Sequence, residues 1–238
     1  MSVLPAGVAP ETLPLSRRLR AGTSGAHERV ERTASFNRLI VVRLPDPLAG
    51  ESAGVDRRRE RARAEYREVY RRFLIAAHGF EQAVERRLVD SPALGEARAT
   101  GLAIECPAGF ELARDDLARV FGIAAAALPA MSDVPEAPTL AALAGIEYVR
   151  RGSRAGGALI GSVVSHNLGY TREHGATFLC RYGRETRSVL EAFRAWADGL
   201  ALDEPGRREA IASAAATFHA VERWHRHLEG RFALERAG

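Results

Sequence analysis

Apolar residues recur at spacings of three and four through most of this chain, and no stretch alternates apolar and polar positions with the period of two that a half-buried strand requires. The pattern predicts helices over residues 15–32, 57–89, 112–128, 139–168, 178–200 and 205–232. The first carries Leu15, Leu19, Ala26 and Val30 on one stripe; the second carries Tyr66, Tyr70, Phe73, Ala77, Phe80, Val84 and Leu88; the last carries Phe218, Val221, Trp224 and Leu228. Asp115 and Asp116 stand near the start of the third, where the helix dipole favours acids. Residues 37–56, with Pro45, Pro47, Gly50 and Gly54, read as a loop, and residues 91–109 as irregular with a break at Cys106-Pro107. Pro129, Pro135 and Pro138 read as a hinge, and residues 169–177 as a turn. The expected fold class is all-α, a single-domain helical bundle over residues 15–233. Residues 1–14, with prolines at 5, 10 and 14, read as a flexible arm and 234–238 as a tail.

The stretch 139–168 stands apart. It opens on Pro138 and the capping-type Thr139, closes on Gly169, and would run roughly 45 Å as one helix. Inside it lie Gly145, Gly152, Gly156, Gly157 and Gly161, each costing about 0.5–1 kcal/mol relative to alanine, so contacts outside the helix must offset the loss. Gly145, Gly152 and Gly156 share one face and leave a strip of bare backbone there. A flat ligand can rest on such a strip, and so can a second helix; spacing alone leaves both readings open. The G-x-x-x-G spacings suit helix pairing in membranes, but Glu147, Arg150, Arg151 and Arg154 interrupt the apolar run and exclude a membrane span. The paired Gly156-Gly157 marks a kink.

Composition narrows the class. The chain is 46% hydrophobic and 27% charged over 238 residues, an ordinary soluble globule. No apolar segment of the signal-peptide kind opens it, so a cytoplasmic location is expected. Cys106 and Cys180 match no metal spacing and read as buried thiols rather than a disulfide. All 34 basic residues are arginine, and the net charge of +4 suits an anionic ligand or an acidic partner as well as nucleic acid. Between residues 57 and 72 eight arginines interleave with Glu60, Glu65 and Glu68, the mark of a solvated helix face, so nucleic acid is not expected as a partner.

The first helix has a second, polar stripe of Ser16, Arg20, Thr23, His27 and Glu31. His27 thus has a carboxylate one turn on and a cation two turns back. By spacing alone a histidine of this kind is usually a surface or core residue. His78 reads as a core-edge residue, and His219, His225 and His227, around the single acid Glu222, as surface residues.

Two segments carry a resemblance. LSRRLRAGTSGAHERVE, residues 15–31, resembles the proximal helix of the heme oxygenase family, and YVRRGSRAGG, residues 148–157, resembles its glycine-rich distal helix. GATFLCRYG, residues 175–183, is similar to the bacterial, phytochrome-associated branch. The resemblance spans residues 15 to about 228. It implies heme held between a proximal helix and a kinked distal helix, with His27 as the axial iron ligand and Glu31 orienting its imidazole. It further implies Arg20 and Arg194 at the heme propionates and Thr23 on the cofactor-facing stripe. Gly152, Gly156 and Gly157 let the distal backbone approach the cofactor. Ser153 stands where mammalian members carry an aspartate that holds a distal water network. The distal side is expected to lack charged groups, with Arg151 and Arg154 turned away. Residues 41–56 form a longer loop than the family leads one to expect, and Leu190 replaces a lysine that mammalian members place near a propionate.

The implied activity is oxidative cleavage of heme, both cofactor and substrate, to biliverdin, carbon monoxide and iron. It uses O2 and an external electron donor such as a ferredoxin, a flavoprotein reductase or ascorbate, with phytochrome as an acceptor of biliverdin. The competing function is a non-catalytic heme carrier or sensor on the same fold. A di-iron scaffold is a third, and it needs repeated Glu-x-x-His pairs where this chain offers Glu222 with His225.

Overall fold

The computed structural model describes residues 13–44, 53–103 and 108–234. Its helices are α1 (Leu15–Glu31), α2 (Ala34–Val41), α3 (Ala53–Val89), α4 (Leu94–Ala99), α5 (Gly109–Phe121), α6 (Leu140–Leu168), α7 (Thr177–Cys180), α8 (Thr186–Gly199) and α9 (Glu204–Leu234). Among the described residues there is no strand, only isolated bridges from Thr171 to His174 and Gly175, and no helix is long and apolar enough to cross a membrane.

Helix α6 begins and ends where its caps dictate. The Thr139 hydroxyl accepts from the Ala142 N–H at 3.0 Å, and Gly169 closes the helix in the left-handed region at φ 73°. Its N-terminal half packs on α9 at backbone distance: a Cβ on Gly145 would collide with the Ala210 carbonyl and stand 2.8 Å from the Ala214 nitrogen. The Ser213 hydroxyl donates to the Ala142 carbonyl at 2.8 Å across the same seam. Gly145 therefore belongs to helix packing and leaves the strip expected for a ligand.

Helix α1 runs parallel to α9, with Arg18 bonded to Glu204 at 2.6 Å near one end and Arg29 to Glu222 at 3.3 Å near the other. Leu15, Leu19, Thr23, Ala26 and Val30 are its buried face. Leu13, ahead of it, is also buried, and its carbonyl accepts from Arg207. Helix α3 lies against the core through Tyr66, Phe73, Leu74, Phe80 and Val84. The Tyr70 hydroxyl donates to the Gly175 carbonyl at 2.7 Å, and the Trp224 indole of α9 donates to the Ala76 carbonyl at 3.0 Å. Asp116 of α5, buried and raised in pKa by that burial, accepts from the Phe178 N–H at 2.9 Å and fixes α7.

Several expectations change. Residues 37–56 are not one loop: α2 runs to Val41 and α3 begins at Ala53, while 45–52 lie outside the described residues. The expected helix over 178–200 is broken at 181–185, where Gly183 adopts φ 50°, and the one over 112–128 starts at Gly109 and stops at Gly122, φ 67°. The arginines of α3 do lie mostly in solvent, with Arg61 on Glu65 and Arg71 and Arg72 on Glu68. Cys180 is a half-buried free thiol, its pKa pushed up by burial; Cys106 lies outside the described residues.

Candidate functional site

A mainly apolar cleft, about 900 Å³ when the solvent space at its open mouth is included, lies between α1 and α6. Helix α1 supplies His27, Val30 and Glu31; α6 supplies Val149, Ser153, Arg154 and Gly157 from the opposite wall. The floor comes from Phe73, Ala76, Ala77 and Phe80 of α3 and from Phe218, Val221 and His225 of α9. Leu179, Arg181 and Tyr182 close one side.

His27 Nδ1 faces Glu31 Oε1 at 3.5 Å, both side chains about half exposed. At that distance the carboxylate acts by charge rather than through a short hydrogen bond, and it favours a proton on Nδ1, leaving Nε2 as the donor atom. The ring stands edge-on to Phe218, centroids 5.4 Å apart at 85°.

Arg20, Thr23 and Arg194 do not line this cleft. They gather around Tyr148, whose neighbour Val149 does. Burial pushes the Tyr148 phenol up in pKa, while a hydrogen bond with Thr23 and the charges of Arg20 and Arg194 oppose the rise. Thr23, fully buried, also donates to the Leu19 carbonyl at 2.7 Å. Arg20 and Arg194 are exposed, so this cluster offers two cations and a phenol to a carboxylate edge. Tyr148 opens the glycine-rich motif 148–157, and its partners across α1 and α8 place it beside the cleft.

The glycines divide. Gly157 is buried in the cleft wall, and a Cβ there would touch the Leu179 carbonyl at 3.4 Å; Gly161 abuts the Cys180 sulfur. Gly152 is exposed with open space where a Cβ would stand, and Gly156 is half-buried; neither counts among the cleft-lining residues. Ser153 does, and its hydroxyl donates to the Arg150 carbonyl at 2.7 Å.

The expectation of an uncharged distal wall is overturned. Arg154 and Glu81 both line the cleft, joined at 2.6 Å. Arg154 also donates to the Tyr182 hydroxyl at 2.9 Å, and Glu81 accepts from Arg150 at 2.9 Å. Arg151 does turn away, to Glu147 at 2.5 Å and the Ala103 carbonyl at 2.6 Å. The start of α5 presses on this group: a methyl on Gly109 would stand 2.5 Å from Glu81 Oε2 and 2.7 Å from an Arg154 nitrogen. The sequence signal for Glu81 was a carboxylate on the Phe73–Ala77–Phe80 face of α3.

His225 is likewise corrected from surface to floor: it is buried, one turn beyond Val221, while His219 and His227 are exposed. Among the described residues no three of His, Cys, Asp and Glu gather as a metal cluster.

The residues present fit a heme: an imidazole nitrogen free to bind iron, an apolar enclosure, bare backbone at Gly157, and cations beside the cleft. No family model matches the sequence, and no curated protein matches it significantly. Solved structures share its fold. The NO- and CO-bound heme oxygenase of Neisseria meningitidis is 23% identical, with a TM-score of 0.63, over 92% of this chain and 94% of that one. The heme oxygenase of Leptospira interrogans is 18% identical, with a TM-score of 0.61, over 90% and 98%. Heme oxygenase-2 of Synechocystis, in complex with heme and NO, is 18% identical, with a TM-score of 0.63, over 92% and 86%. The chain thus has the all-α fold seen in heme oxygenases.

Proposed function

We propose that this protein is a heme oxygenase of the biliverdin-producing kind. The observation that carries the reading is the placement of His27, oriented by Glu31, on one wall of an apolar cleft whose other wall is the glycine-rich helix α6. Bound there, heme would supply oxygen activation at its iron and the carbon skeleton that is cut, yielding biliverdin, carbon monoxide and iron. His27 Nε2 would hold the iron, and Glu31 would hold the His27 tautomer that leaves this nitrogen free. Arg20, Arg194 and Tyr148 pair with the propionates at the cluster beside the cleft. Gly157 would let the backbone approach the heme from the wall opposite His27, and Ser153 would hold water there. Phe73, Phe80 and Phe218 exclude bulk solvent from the floor. Glu81 fixes the Arg154 guanidinium, a charge-assisted donor at the distal wall. Electrons come from a ferredoxin, a flavoprotein reductase or ascorbate, and a phytochrome is a fitting acceptor of the biliverdin.

The test is optical. Hemin added to the protein should give an axial-imidazole spectrum, and a reductant in air should convert it to biliverdin with release of carbon monoxide. His27→Ala should lose the axial signature and regain it with free imidazole; an unchanged spectrum in that variant removes His27 as the ligand. Heme that binds through His27 and survives the reductant in air would instead make the protein a carrier or sensor.

A further inference from the structure

His225 is a polar residue on the cleft floor for which heme binding provides no use. It is 7% exposed, yet it lines the cleft. Burial alone acts on it, with no hydrogen bond or charge from the described residues, and holds its pKa down to about 4. The ring is therefore neutral at physiological pH and keeps one N–H donor and one acceptor. Its neighbours on the floor are Phe73, Phe218 and Val221.

The position of His225 matters as much as its chemistry. Phe218, Val221 and His225 follow one face of α9, so His225 lies about 10 Å along the axis from Phe218, the residue that the His27 ring meets. Because α1 and α9 are parallel, His225 is displaced toward the Glu31 end, away from Arg20 and Thr23. A planar ligand centred over His27 with its carboxylates at Arg20, Arg194 and Tyr148 would turn its opposite, apolar rim toward His225. Methyl and vinyl groups satisfy neither ring nitrogen, and a buried polar group left unmet is unfavourable. A rim that carries oxygen satisfies one of them.

Cleavage at the meso carbon of that rim makes that change, since the tetrapyrrole opened there ends in two lactam carbonyls. We infer that His225 is a recognition residue for the oxygenated edge of an opened tetrapyrrole, giving the cleft a hydrogen bond to a dilactam that it does not make to the closed ring. The inference rests on the heme oxygenase reading for its ligand, and on the floor geometry for its residue.

Biliverdin and hemin, titrated separately by absorbance into wild type, His225→Phe and His225→Gln, test it. His225→Phe should bind biliverdin about tenfold more weakly, the worth of one neutral hydrogen bond, with hemin affinity unchanged. His225→Gln keeps a donor and an acceptor and should recover most of the loss. Equal biliverdin affinity in all three proteins overturns the inference, as does a parallel loss for both ligands or a wild type that does not bind biliverdin. The hemin arm with His27→Ala judges the heme oxygenase reading separately, since absence of an axial-imidazole spectrum in wild type sinks that reading whatever the ranking of the His225 variants.

Discussion

Glu81 is 1% exposed and holds Arg150 at 2.9 Å and Arg154 at 2.6 Å. Removing one side of a buried ion network leaves charge without compensation, which costs about 3–5 kcal/mol. Glu81→Leu should lose that much in urea denaturation, and replacing Glu81 and Arg154 together by apolar residues should lose less. A Glu81→Leu midpoint close to wild type would show that Glu85 and Glu147, the other partners of Arg150, suffice. His225 gives a prediction of opposite character. Its folded pKa of about 4 lies below the ordinary 6.5, so as pH falls through 6.5 the unfolded chain takes up a proton that the folded chain refuses. Its contribution to stability is complete above pH 6.5 and declines toward pH 4, by up to about 3 kcal/mol. Urea midpoints of wild type should fall more steeply over that window than those of His225→Phe; parallel slopes would contradict the assignment. The resemblance carried by residues 15–31 singles out His27 and Glu31, which spacing alone puts on one helical face without giving either a role. The sequence could not place His225 or Glu81, since the pattern tells which residues share a helix face but not which other helix covers it.

At the scale of the element, α6 assigns its glycines to different duties. Gly145 touches the backbone of α9, which cannot yield as a side chain can, so Gly145→Ala should destabilise by about 1–3 kcal/mol through overpacking. Gly152 meets nothing within 4 Å, and Gly152→Ala should gain up to about 1 kcal/mol in helix propensity. Thermal melts of the two variants should move in opposite directions; a shared loss would return both glycines to packing. The ends of α6 were readable from Thr139 and Gly169 because capping is local. Helix α2 was not, because the prolines and glycines beyond it dominate the window and only burial of Leu39 against α3, with its carbonyl accepting from the Tyr66 hydroxyl, reveals its purpose. The break at 181–185 was equally hidden, since the residues flanking Gly183 have good helical pattern.

For the whole molecule, α1, α3, α6 and α9 enclose one cleft, and a ligand that fills it binds the folded state alone. Hemin at a hundredfold excess over its dissociation constant should then stabilise by about 2.7 kcal/mol, raising the melting temperature by roughly 5–10 °C for a chain of this size. A melt unmoved by hemin would deny that the cleft is its seat. That all helices pack into one bundle was legible from periodicity; that four of them leave a gap was not, because a gap is a property of shapes that meet. Of the two tryptophans in the chain, Trp196 is bonded to Thr100 beyond the cleft lining, whereas Trp224 donates its indole proton to Ala76, a residue of the floor. An excited indole so close to a strongly absorbing pigment gives up its energy to it without emitting, so the arrival and departure of a tetrapyrrole should be written in the fluorescence of Trp224, a gauge that needs no added dye.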